Sequence, residues 1–157
     1  MEILNNLEWY FFNDKPTEAI IRDTGKKIKK IQLKTIVFDD SVKENVKFCF
    51  PLNDDFTFTE TRELPRPVTV NHVLTLVHEF YNELLTQETI DKSFGENIQW
   101  KDDWNEDMMS HYDSDRSKFT KYNLFNDDCA TPDFCGICLM EDSKENPGEY
   151  FIGIGPE

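Results

Sequence analysis

A chain of 157 residues is long enough for one domain with one sizeable core. Its 13 Phe, 5 Tyr and 3 Trp set against a hydrophobic share of 38% indicate a folded globule with a polar surface and exclude a disordered chain, which would be poor in aromatics. The net charge of −14 is uneven, +1 over residues 1–50, −6 over 51–100 and −9 over 101–157. It opposes direct binding to nucleic-acid phosphates or anionic membranes, both of which draw on Lys and Arg.

The first half reads as strands. Leu7-Glu-Trp-Tyr-Phe-Phe12 is aromatic-rich and ends at Asn13-Asp14, a turn signal. Glu18–Arg22 runs into the turn Asp23-Thr24-Gly25. Ile28, Ile31, Leu33 and Thr35–Phe38 interleave with Lys29, Lys30 and Lys34, which predicts a strand with one wet face. The basic run Lys26-Lys27-Ile28-Lys29-Lys30 fits a guarded sheet edge better than a nucleic-acid patch, because lysines on an edge strand deter edge-to-edge pairing. Val46, Phe48 and Phe50, then Phe56 and Phe58 beyond Pro51–Asp55, predict an antiparallel hairpin.

After Pro65-Arg66-Pro67 the period changes. Val70, Val73, Leu74, Val77, Phe80, Tyr81, Leu84 and Leu85 make one apolar stripe at helical spacing, so a helix over Val70–Leu85 is predicted, capped by Thr69 and with His72, Glu79 and Glu83 on its wet side. Thr86–Phe94 reads as a second, short helix or a continuation of the first, with a stop at Gly95. Trp100, Trp104 and Met108 at i, i+4, i+8 predict a short amphipathic helix whose acid-rich start suits its dipole. Residues 113–128 are mixed. Phe134–Glu141 and Glu149–Gly155 flank a polar Pro-Gly loop and predict a C-terminal hairpin.

Metal-ligand residue types crowd together only at Cys129-Ala-Thr-Pro-Asp-Phe-Cys135-Gly-Ile-Cys138. A structural zinc site needs four ligands, so Cys129, Cys135 and Cys138 require His111 or the remote Cys49 as the fourth. In an extended strand Cys135 and Cys138 point to opposite faces, so chelation further requires a turn at Gly136. Free thiols are the simpler state, and no other cofactor is expected. The remaining chemistry-bearing residues form no catalytic pattern. His78 flanks the apolar stripe and His72 lies on the wet face, both as structural histidines. Ser110-His111 is no triad, and Asp113-Ser-Asp115 lacks the later acids and Gly of a calcium loop. An enzyme is therefore not expected.

The segment Leu64-Pro-Arg-Pro-Val-Thr-Val-Asn-His-Val-Leu-Thr-Leu-Val-His-Glu-Phe-Tyr-Asn-Glu-Leu-Leu-Thr86 resembles one in small uncharacterised proteins of large nucleocytoplasmic DNA viruses, in which a strand pair leads into a helix of the form Thr-Val-x-x-Val-Leu. The resemblance covers about a quarter of the chain. It implies an α+β module, associated with the virion, and transfers no functional residue.

The expectation is a single α+β domain over 1–157: an antiparallel sheet with one main helix on a face and a C-terminal β-hairpin. The expected function is that of a non-catalytic structural or interaction protein, intracellular since no signal peptide or membrane-length apolar run occurs. It would bind a basic protein partner through Trp100, Asp103, Trp104 and Asp107, an acidic surface with aromatic anchors. The alternatives are a zinc-stabilised binding module and an acidic inhibitor or nucleic-acid mimic that occupies a basic enzyme's groove.

Overall fold

The computed structural model describes residues 3–9, 14–52, 58–112, 114–125, 135–141 and 149–155, with 111, 125, 135–141 and 151–155 described by their backbone. The aromatic run after Leu7 forms strand β1 (Leu7–Trp9), where Leu7 and Trp9 are fully buried and the Trp9 indole N–H donates to the Lys15 carbonyl at 3.0 Å. The rest of the strand predicted to Phe12 lies outside the described residues. β2 (Ile20–Ile21) turns into β3 (Lys26–Lys27) through Gly25, whose φ of +66° is a conformation that Gly reaches without a Cβ penalty.

The strand predicted over residues 28–38 does not form as one piece. Lys30–Leu33 winds into a single helical turn, α1, held by the Leu33 N–H to the Lys29 carbonyl and by Gln32 Oε1 accepting from the Lys29 N–H. Ile31 consequently points to solvent at 75% exposure, while Ile28 and Leu33 bury. Only β4 (Ile36–Phe38) is extended, and it pairs with β7 (Val68–Thr69) in a separate two-stranded sheet.

β5 (Val46–Pro51) buries every residue but Lys47. Its hairpin partner is β6 (Thr59–Leu64), in unbroken register from Val46↔Leu64 to Pro51↔Thr59. The hairpin predicted here is present; Phe56 of its predicted second strand lies outside the described residues, and the strand described, β6, uses the polar run Thr-Glu-Thr-Arg-Glu-Leu. Backbone pairing with β5 outweighs the weak strand preference of these side chains.

Helix α2 (Val70–Asn82) follows β7 directly. The Thr69 hydroxyl accepts from the His72 N–H and the His72 ring nitrogen accepts from the Thr69 N–H, a reciprocal cap. Its predicted stripe is buried as far as Tyr81, with Phe80 stacked on Phe50 at 4.3 Å and the Tyr81 hydroxyl donating to the Pro51 carbonyl at 2.8 Å. The helix ends at Asn82, short of the predicted Leu85. Glu83 turns extended, and Glu83–Leu85 pair instead with Phe119–Lys121 through two backbone bonds, Leu85 N–H to Phe119 O and Lys121 N–H to Glu83 O. Helix α3 (Gln87–Phe94), stopped at Gly95 with φ +57°, leads to α4 (Ile98–His111) and then α5 (Lys121–Phe125).

β8 (Cys135–Glu141) and β9 (Glu149–Gly155) form the predicted C-terminal hairpin. It does not sit at an edge. Among the described residues the main sheet has seven strands in the order β3-β2-β1-β8-β9-β5-β6, so the last two strands fill its centre. Every pair is antiparallel except β5 with β9, which run parallel, so the antiparallel sheet expected from the sequence carries one parallel pair. β3 lies at one edge, where exposed Lys26 and Lys27 guard it as the charge pattern implies.

Both helices and sheets contribute to an α+β fold, and the described residues form two apolar cores. The larger packs α2 against the sheet through Trp9, Phe48, Phe50, Leu74, Val77 and Phe80. The smaller joins α3, α4 and α5 through Ile90, Trp104, Met108, Phe119 and Leu124. Helix α5 touches both, since Tyr122 belongs to the first core and Leu124 to the second.

Candidate functional site

Helix α4 carries the residues expected to bind a partner. Asn97 caps it, its side-chain oxygen accepting from the Trp100 N–H at 3.1 Å. The helix therefore starts at Ile98, and Asp102 and Asp103 fall in its second turn rather than at its start, so the dipole argument for an acid-rich first turn does not apply. What sorts the side chains is burial. Trp104 and Met108 turn inward, with the Trp104 ring edge-on to Phe119 at 5.5 Å and its N–H donating to the Asn123 carbonyl at 2.9 Å.

Trp104 is therefore a core residue at 6% exposure and is withdrawn as a partner anchor. Trp100, one turn earlier, is 66% exposed. At 100° per residue Trp100, Asp103 and Asp107 fall on one face at i, i+3, i+7, and both carboxylates are exposed. Asp102 and Glu106 are also exposed, further round the helix from Trp100. The arrangement is an indole flanked by carboxylates, a combination that attracts a cation through ring quadrupole and charge together.

The cysteine cluster is only partly described. Cys129 lies outside the described residues, and Cys135 and Cys138 are described by their backbone, as is His111 at the end of α4. The ladder Gly136↔Gly155 to Glu141↔Tyr150 is continuous, so the chain at Gly136 is extended and paired rather than turned. The turn that chelation by Cys135 and Cys138 requires is not formed. Cys49 is buried on β5, its sulfur 3.7 Å from the Thr61 hydroxyl. Among the described residues no group of three or more His, Cys, Asp or Glu stands together as a metal site.

One charged cluster escaped the sequence. Lys121, 8% exposed at its side chain, reaches Glu60 Oε2 at 2.8 Å and Glu83 Oε1 at 2.6 Å, and Arg62 donates to the same two oxygens at 3.1 and 2.8 Å. Both cations lie over the Phe80 ring, Lys121 Nζ at 4.6 Å and Arg62 Cζ at 5.1 Å. Burial pushes the Glu83 carboxyl up, but hydrogen bonds from Lys121 and Arg62 outweigh it and hold the group below its ordinary value. Two positive and two negative charges thus neutralise one another where β6, the end of α2 and α5 meet. Glu83, expected on the wet face, is drawn into this cluster because α2 ends one residue before it. Apart from Glu60 and Arg62 on one strand, the partners are 21, 38 and 61 positions apart, so no local pattern could announce the cluster.

His78 is half-buried with its ring 6.2 Å from Trp9, as the structural assignment expects. Among the described residues, no helix is long and apolar enough to cross a membrane. Comparison with protein-family models, with curated proteins and with solved structures gives no match.

Proposed function

We propose that this is a non-catalytic structural or interaction protein that receives a basic protein partner on the outer face of α4, and that it serves as a virion component, in line with the viral resemblance of residues 64–86. The observation that carries the docking face is Trp100, an indole 66% exposed on a helix that buries its other tryptophan. A large exposed aromatic is the residue type most often found as an interface anchor. Asp103 and Asp107 on the same face, within a chain of net charge −14, favour a partner rich in Lys and Arg and steer its approach.

Affinity isolation from the native source, run in parallel with wild type and a Trp100→Ala/Asp103→Lys/Asp107→Lys variant, tests this. A stoichiometric protein with excess Lys and Arg, captured by wild type in a salt-sensitive manner and lost by the variant, is the expected result. Equal capture by both proteins, or an acidic partner, rejects the assignment.

A further inference from the structure

The two edges of the main sheet are treated differently. β3 is two residues long and carries exposed lysines. β6 is six residues long, contains no Pro, and keeps an unbroken register with β5, so it lacks the guards of short length, proline and a bulge, and the charges it carries, Glu60, Arg62 and Glu63, are of both signs. The side it presents follows from one bond. Leu52 N–H donates to Phe58 O at 2.9 Å, so Leu52 and Phe58 form a hydrogen-bonded pair, and in an antiparallel ladder such pairs alternate. Residues 60, 62 and 64 then bond to β5, and Thr59, Thr61 and Glu63 direct their N–H and C=O groups outward. The Arg62 guanidinium confirms an outward carbonyl at Thr61, to which it donates at 3.1 Å. Among the described residues no strand pairs with this side.

The edge is complementary to itself. When two copies of β6 are laid antiparallel about Thr61, Glu60 faces Arg62 of the second copy and Arg62 faces its Glu60. Phe58, half-buried, faces Leu64, also half-buried, at both ends. Thr59 faces Glu63, and Thr61 faces Thr61. Sliding to either neighbouring register sets Glu60 against Glu60 or Arg62 against Arg62, and like charges directly opposite are destabilising. One register is therefore selected by the sequence of the strand itself, which is the condition for specific rather than indiscriminate pairing.

We propose that two copies of this chain associate across β6 in that register, extending the seven-stranded sheet through a twofold axis at Thr61. The Thr61 carbonyl has a second lone pair for the partner's N–H, and the guanidinium has donors left beyond its bonds to Glu60 and Glu83. Six residues a side put the contact at the weak end of protein interfaces. Because each copy carries −14, salt screens their mutual repulsion and strengthens the pair, the opposite of its effect on a basic partner at α4.

Sedimentation equilibrium over a concentration series, at low and at physiological salt, tests the proposal with wild type, Thr61→Pro and Thr61→Lys. Thr61→Pro removes an outward N–H that β5 does not use, and Thr61→Lys sets two ammonium groups against each other at the axis while lowering the overall repulsion. The expected result is a monomer–dimer equilibrium for wild type that shifts to dimer with salt, and monomer for Thr61→Lys with an unchanged circular dichroism spectrum. Thr61→Pro should behave likewise, and Thr61→Lys alone decides if the proline variant fails to fold. A wild-type monomer at all concentrations, or a dimer that survives Thr61→Lys, overturns it.

Discussion

Lys121 shows what a single buried charge does in this molecule. Its ammonium lies at 8% side-chain exposure between Glu60, Glu83 and the Phe80 ring, and it ties α5 to β6 and to the end of α2. Lys121→Ala leaves two carboxylates facing Arg62 alone and is expected to lower stability by about 2 kcal/mol, below the cost of breaking a fully buried pair because Glu83 is 40% exposed. Urea denaturation with a linear extrapolation measures it. Glu83 adds a pH dependence. Its folded value is depressed, so its stabilisation is complete above the ordinary glutamate value and is lost as pH falls through the folded one. Stability of the wild type should thus fall faster with acid than that of Glu83→Gln, and equal slopes would show that Glu83 does not contribute. The two tryptophans of α4 give a paired test. Trp104→Ala removes a core ring and its bond to Asn123 and should cost about 3–5 kcal/mol, whereas Trp100→Ala should change stability by less than about 0.5 kcal/mol. Sequence spacing placed both on one helix but could not say which turned inward, because that depends on where Phe119 and Asn123 return to meet them.

At the level of elements, legibility followed the reach of the forces involved. α2 was readable because eight apolar residues repeat at its period and Thr69 caps it, and the structure differs only where Glu83–Leu85 find backbone partners in Phe119–Lys121. Thr69→Ala should cost about 1 kcal/mol by the loss of that cap, seen as a lower urea midpoint at unchanged slope. The stop at Gly95 was also local. Its φ of +57° makes Gly95→Ala destabilising by about 1–2 kcal/mol although nothing lies within 4 Å of the added methyl, so the cost is purely one of backbone conformation. α1 and β6 were not readable. Residues 28–34 alternate like a strand yet Lys30–Leu33 winds into a turn, and β6 looks too polar for a strand yet pairs with β5 along its whole length. In both, what neighbouring backbone offers outweighs what the side chains prefer.

For the molecule as a whole, many of the strands were legible and their order was not. The α+β class and the C-terminal hairpin could be read from alternation, but nothing in the sequence of β8 and β9 says that they part β1 from β5. That placement makes the rest of the sheet dependent on them. A chain ending after Phe125 would leave β1–β3 and the β5–β6 hairpin with no strand between them, and isolated hairpins are marginal in water. Such a chain is expected to show no cooperative thermal transition and no near-ultraviolet dichroism. A transition like that of the full chain would mean that α2 and the helical core hold the fold by themselves. The same placement reaches back to synthesis. At about 5–20 residues per second, the ribosome needs roughly 4–17 s to pass from Leu64 to Glu149. Through that interval the inner edge of β5, bearing Phe48 and Phe50, has no neighbour to close it. The nascent chain therefore spends seconds with its sheet unfinished on that side, an interval in which an unpaired strand edge is open to wrong partners.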